Sequence, residues 1–91
     1  MATRQEIGQR VLLRRRELGL TQQELAERCG FPYQVISGLE RGRQSIYVER
    51  LADIAQVLGV SADYLLGLTE NPRPRRREKP ASADGDKEEA A

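Results

Sequence analysis

Five glycines, at positions 19, 30, 42, 59 and 67, each follow a short run of apolar residues at helical spacing, and this punctuation limits the chain to short helices. A glycine just past the last periodic residue lets the backbone turn through the left-handed conformation that closes a helix. Ile7, Val11, Arg15 and Leu18 recur near helical spacing ahead of Gly19, which predicts a first helix over 3–18. Thr21 with Glu24 three residues on makes a capping box, and Leu25, Ala26 and Cys29 give a second helix of about eight residues one apolar face before Gly30. Pro32 can open a third helix at its first turn, with Val35, Ile36 and Leu39 turned inward and Gly42 as the stop. Leu51, Ile54, Ala55 and Leu58 stand at i, i+3, i+4 and i+7 ahead of Gly59. Ser61 then caps a last turn or two containing Tyr64, Leu65 and Leu66, closed by Gly67. The predicted fold is all-α, five short helices and no strand.

With 91 residues there is room for one small domain, because a second core would have nothing to bury. One Phe, three Tyr and no Trp leave that core aliphatic, so stability is expected to be modest unless a partner subunit adds to it. No apolar run approaches the roughly 20 residues that cross a bilayer. Residues 1–10 place Arg4, Glu6 and Arg10 around a single Ile7, unlike a secretory signal, so a cytoplasmic protein with no membrane partner is expected. The lone Cys29 cannot form an internal disulfide, and its place on the inner face of the second helix favours a buried structural thiol over a redox switch. The chain has no His, and neither metal cluster, phosphate loop nor paired nucleophile and base is apparent, so no cofactor, metal or catalytic residue is expected.

Net charge is only +1, but its distribution is uneven. Residues 1–43 hold eight Arg against five Glu, whereas residues 44–68 hold one Arg against Glu49, Asp53 and Asp63. Arg is the planar, always-charged residue suited to phosphate, so the asymmetry hints mildly at nucleic acid, although on charge alone a solvated surface is the favoured reading. The domain is predicted over 1–68. Residues 69–91 contain three of the four prolines and no Val, Ile, Leu or aromatic residue, and are expected to be a disordered charged tail. Within it Arg73, Arg75, Arg76, Arg77 and Lys79 form a basic block and Asp84, Asp86, Glu88 and Glu89 an acidic end. An arm that touches phosphate and a solubilising tail both fit.

Residues 22–41 bear most directly on function. Two short helices joined by Gly30, Phe31 and Pro32 can cross steeply where Ala26 is small, with Leu25, Cys29, Phe31, Ile36 and Leu39 filling the shared interior. The outward face of the third helix is then Tyr33, Gln34, Ser37, Gly38 and Arg41. It lacks a large apolar patch and carries groups able to hydrogen-bond base edges; Gln can pair with N6 and N7 of adenine in a major groove wide enough for a helix.

The run Gly19-Leu20-Thr21-Gln22-Gln23-Glu24-Leu25-Ala26-Glu27-Arg28-Cys29-Gly30, then Ile36-Ser37-Gly38-Leu39-Glu40-Arg41-Gly42, then the stretch from Leu51 to Gly67, resembles the Cro/C1-type helix-turn-helix regulators, also called the xenobiotic response element family. The resemblance covers residues 6–68 and implies a compact five-helix, lambda-repressor-like domain of bacterial or phage type, working at the nucleoid. It implies a homodimer on a palindromic operator in double-stranded DNA, with half-sites about 10 base pairs apart. Position by position it implies that Tyr33, Gln34 and Ser37 face the bases and that Gly38 stands where a reading side chain is common. Such a glycine fits close approach to DNA or a tolerated defect. Gln22, Arg41 and Arg43 match phosphate contacts. Arg15 and Glu40 match a salt bridge between the first and third helices; a surface position for Arg15 beside Arg14 and Arg16 is the rival. Pro32 departs from the Ser or Thr common at the cap of the third helix. Tyr64, Leu65, Leu66 and Leu68 complete the core, make the two-fold contact, or divide between the two.

The function expected is sequence-specific control of transcription, most simply repression, with any signal entering through a protein partner, the tail or proteolysis. An antitoxin or other protein-interaction module, whose partner supplies the function, is the alternative. RNA is disfavoured by the lack of aromatic stacking platforms.

Overall fold

A computed structural model of the chain describes residues 1–44 and 48–74, and of Val48 the backbone alone. Five helices follow in order: α1 (Arg4–Glu17), α2 (Gln22–Cys29), α3 (Tyr33–Glu40), α4 (Val48–Leu58) and α5 (Ala62–Leu65). No strand occurs among the described residues. The five stop glycines all sit at positive φ, between 71° and 80°. Gly30 shows why: at φ 80° it caps α2 while its N–H donates to Glu27 O, and Phe31 N–H turns back to Ala26 O at 2.9 Å.

Helix starts follow the same local chemistry. Thr21 and Glu24 form the expected capping box on α2, and Thr3 and Glu6 form a second one on α1. Ser61 Oγ accepts from Tyr64 N–H at the head of α5. Pro32 lies one residue earlier than predicted, as the N-cap of α3 rather than its first helical residue, and supplies no side-chain cap. α4 begins about a turn before Leu51, at Val48. Leu18 departs from its predicted row: it caps α1 and is 42% exposed, because the helix ends before the next inward position.

Val11, Leu25, Ile36, Ile54, Leu58 and Leu65 are fully buried and form the centre of the core, one or more from every helix. Each such aliphatic side chain contributes about 1.5–3 kcal/mol on burial. Cys29 and Phe31, expected inside, are only half-buried at its edge. Phe31 also carries the Arg50 guanidinium 5.2 Å above its ring. Burial, with Asp53 nearby, pushes the Cys29 thiol up from 9.0 to about 11.

α1 and α3 come closest at Gly8. A methyl group there would overlap Leu39 O and lie 3.0 Å from Glu40 Cα, so only glycine permits this crossing despite its cost of about 1 kcal/mol inside a helix. Two turns further along, the side chain of Arg15 reaches the same end of α3. Arg15 Nε and Nη2 donate to Glu40 Oε2 and Oε1 at 2.7 and 2.9 Å, and Arg15 Nη1 donates to Leu20 O at 2.8 Å. Both residues are 8% exposed, so Arg15 does not take the surface position.

The two ends of the domain are tied down by backbone bonds. Ala2 N–H donates to Leu66 O at 2.8 Å, and Ser61 N–H donates to Pro72 O at 3.0 Å. The chain therefore stays on the body beyond Leu68, as far as Pro74. Arg75, Arg76, Arg77 and Lys79 of the basic block, and the acidic end, lie outside the described residues.

Replacing Glu40 by Ala leaves the Arg15 charge buried and unpaired, and should cost about 3 to 5 kcal/mol in urea denaturation. The double replacement Arg15→Met with Glu40→Leu should recover most of that loss; an equal loss would place the destabilisation in shape rather than charge. Because the folded state raises the Cys29 thiol, its contribution to stability is present below about pH 9 and lost as pH rises towards about 11. Iodoacetamide should accordingly alkylate Cys29 in the folded protein far more slowly at pH 8 than in urea, and equal rates would show the thiolate is not suppressed.

Candidate nucleic-acid interface

α3 places its residues by simple helical geometry. Ile36, Leu39 and Glu40 are buried against α1 and α2, which leaves Tyr33 and Gln34 exposed and Ser37 half-buried on the opposite side. Tyr33 is 45% exposed. The backbone then closes tightly: Arg41 N–H donates to Ser37 O, Gly42 N–H to Leu39 O and Arg43 N–H to Gly38 O, all between 3.0 and 3.1 Å. This turn sets Arg41 and Arg43 at the end of the same surface, both exposed and neither in an ion pair among the described residues.

The surface is held in orientation from behind. Glu40, the last residue of α3, accepts from Arg15 of α1 and also from Gln22 Nε2 of α2 at 2.9 Å. Hydrogen bonding to Glu40 raises the Arg15 guanidinium above its ordinary value, against the opposing pull of burial. One carboxylate thus joins the N-terminus of α2 to the C-terminus of α3. Gln22 is half-buried as a result and one of its amide hydrogens is committed internally. What it can still offer an anion is its second amide hydrogen and its backbone N–H in the first turn of α2.

The structure brings Tyr33, Gln34, Ser37, Arg41 and Arg43 onto one surface, with Gln22 at its margin. Gly38 lies there too, covered by a residue that sequence reasoning missed. A Cβ at Gly38 would lie 2.9 Å from Gln44 Cδ, so the Gln44 side chain rests against the bare backbone of α3. Nothing in the periodicity points to Gln44, since it sits beyond the stop at Gly42.

The expected dimer residues separate. Leu65 is fully buried in the monomer and cannot touch a second copy, which removes it from that set. Leu66 is half-buried against the core, and Tyr64 is half-buried with the Arg10 guanidinium 5.5 Å from its ring centre. Leu68 remains 58% exposed. No helix of the described residues is long and apolar enough to cross a membrane, and none of their His, Cys, Asp and Glu side chains group as a metal site.

A family model described as helix-turn-helix matches residues 12–65. A transcriptional regulator in the ATPase CF(0) region of Rhodospirillum rubrum is 46% identical over 69 residues, 76% of this chain and 64% of that protein. The chain therefore spans about two thirds of that relative's length. An HTH-type transcriptional regulator, y4dJ, of Sinorhizobium fredii is 48% identical over 61 residues, 67% of this chain and 79% of its own. Among solved structures, SinR, a master regulator for biofilm formation, in complex with DNA superposes with a TM-score of 0.64 at 38% identity, over 66% of this chain and 97% of that one. Sequence, fold and these likenesses agree that the chain belongs to the Cro/C1-type helix-turn-helix family.

Proposed function

We propose that this chain is a sequence-specific, double-stranded DNA-binding transcriptional regulator, a repressor that binds a palindromic operator as a homodimer with α3 in the major groove. The observation that carries this reading is the polar row of α3, with Tyr33, Gln34 and Ser37 outward, Arg41 and Arg43 at its end, and a buried bidentate ion pair fixing its angle. A helix of eight residues enters a major groove about 12 Å wide, where side chains of this kind discriminate base edges. Arg41 and Arg43 then supply charge to the phosphates on either side, with Gln22 in the first turn of α2 as a further contact. SinR, a protein of the same fold, is found in complex with DNA.

Two copies are needed for a two-fold operator. Exposed Leu68 and half-buried Leu66 and Tyr64, at the end of the domain formed by α5, are the residues proposed to bring the copies together. The reading as a protein-interaction module has less support, because the outward face of α3 presents amide, hydroxyl and guanidinium groups where a partner helix would need an apolar strip.

Selection of genomic fragments by the purified protein at near-physiological salt, followed by sequencing, should recover a motif with two-fold symmetry and half-sites about 10 base pairs apart. Retention without a motif, sensitive only to salt, would reject sequence-specific control in favour of the protein-interaction reading. Within such a motif, Gln34→Ala should cost about 1 to 3 kcal/mol at one position and leave the others unchanged. A uniform loss on all sequences would remove Gln34 from the base-reading set. Arg43→Ala should weaken all sequences alike and reduce the slope of log K against log salt by about 1; an unchanged slope would remove Arg43 from the phosphate contacts.

A further inference from the structure

Two glycines lie inside helices, and their surroundings differ in kind. At Gly8 an added Cβ would meet backbone, Leu39 O and Glu40 Cα, so the residue is fixed by the crossing of α1 and α3. At Gly38 the three nearest atoms it would meet all belong to one flexible side chain: Gln44 Cδ at 2.9 Å, Oε1 at 3.1 Å and Cγ at 3.3 Å. The helix interior needs no glycine there. What the missing side chain makes room for is the Gln44 amide, whose carbon lies 2.9 Å from where a residue-38 Cβ would stand.

Position 38 stands one turn beyond Gln34 and next to Ser37 on α3, within the row proposed to face the bases. The turn that returns Gln44 to this place is anchored by the Arg43 N–H bond to Gly38 O at 3.0 Å, so the residue before Gln44 is tied to the very glycine it covers. Gln44 itself is exposed, and a Gln amide presents one acceptor and one donor side by side. That pair matches N6 and N7 of adenine in the major groove. We propose that Gln44 is a specificity-determining residue, reading an adenine from the place on α3 that Gly38 leaves empty. One helical turn is about 5.4 Å, so the base it reads lies about one or two base pairs from the one read by Gln34. The inference rests on α3 entering the major groove and adds to it a reader from outside the helix.

The test uses the full chain and a random-sequence duplex DNA library, followed by binding to the recovered duplex and its single-base-pair variants. Gln44→Ala should reduce the preference for adenine at one position by about 5- to 100-fold and leave the remaining positions as they were. Gly38→Ala displaces the amide; it should lose preference at that same position while its melting temperature rises, since alanine is the better helix former. The double variant should be no worse there than Gln44→Ala alone. A uniform loss with a shallower salt slope would overturn the proposal in favour of a phosphate contact. Unchanged preference would overturn it in favour of a side chain that merely covers Gly38. Gln34→Ala, run alongside, separates the two levels of the reading. If it shifts preference at its own position and Gln44→Ala shifts none, Gln44 is not a reader and α3 still is; if neither shifts any, α3 does not read the groove and the proposal falls with it.

Discussion

The Glu40 carboxylate accepts from Arg15 at 2.7 and 2.9 Å and from Gln22 at 2.9 Å, in a domain whose core is otherwise almost wholly aliphatic. Apolar burial is strong but has no direction; on its own it would leave α3 free to rock on Ile36 and Leu39 against Val11 and Leu25 of the neighbouring helices. A bidentate guanidinium and carboxylate pair does have direction, and swinging either plane out of alignment weakens both of its parallel hydrogen bonds at once. Replacing such a pair by well-packed apolar residues is often neutral for stability. Its presence in so small a core is therefore better explained by the angle it imposes than by the energy it adds.

That angle also depends on how near the helices come. Arg15 reaches Glu40 because α1 and α3 touch backbone to backbone at Gly8, two turns earlier on α1. The contact and the ion pair constrain each other: without the first, the guanidinium would not lie at bidentate distance, and without the second, the close approach would fix separation and leave rotation free. Leu20 O accepts from Nη1, the third guanidinium nitrogen of Arg15, so the turn between α1 and α2 is held by the same side chain. α1, the turn that follows it, α2 and α3 are thus joined through Arg15, Glu40, Gln22 and Gly8.

Much of this was legible in the sequence because it rests on local chemistry. The stop glycines, the Thr21 capping box and the inward rows of α2, α3 and α4 are written within a few residues of where they act. Gly8 was not legible, since a glycine in an amphipathic row reads as a weak helix position until the helix opposite is known. Leu65 and Leu68 are chemically alike and three residues apart, yet one is fully buried and the other 58% exposed; only the placement of α5 against α1 and α4 separates them. The bond from Ser61 N–H to Pro72 O joins residues eleven apart, and its acceptor lies in the stretch 69–74, which has no Val, Ile, Leu or aromatic residue, so no periodicity announces it. Gln44 escaped for a related reason: its position is set by a return of the backbone past a helix stop, a tertiary event with no repeating signature.

Short recognition elements carry a further consequence. One helix of eight residues with three or four outward side chains can distinguish only a few base pairs, at about 1–3 kcal/mol each, which is too little to select one site among the competing sites of a genome. A second copy placed by a rigid two-fold contact repeats the same reading one turn of duplex away, and its binding becomes intramolecular once the first has bound. The gain depends on rigidity in each copy, because a loosely angled α3 would dissipate as orientational freedom what the second contact supplies. In the proposed dimer the buried pair behind α3 and the apolar end of the domain at Leu66 and Leu68 would serve one requirement from opposite sides: the first would fix each reading surface within its own copy, and the second would fix the two surfaces relative to each other.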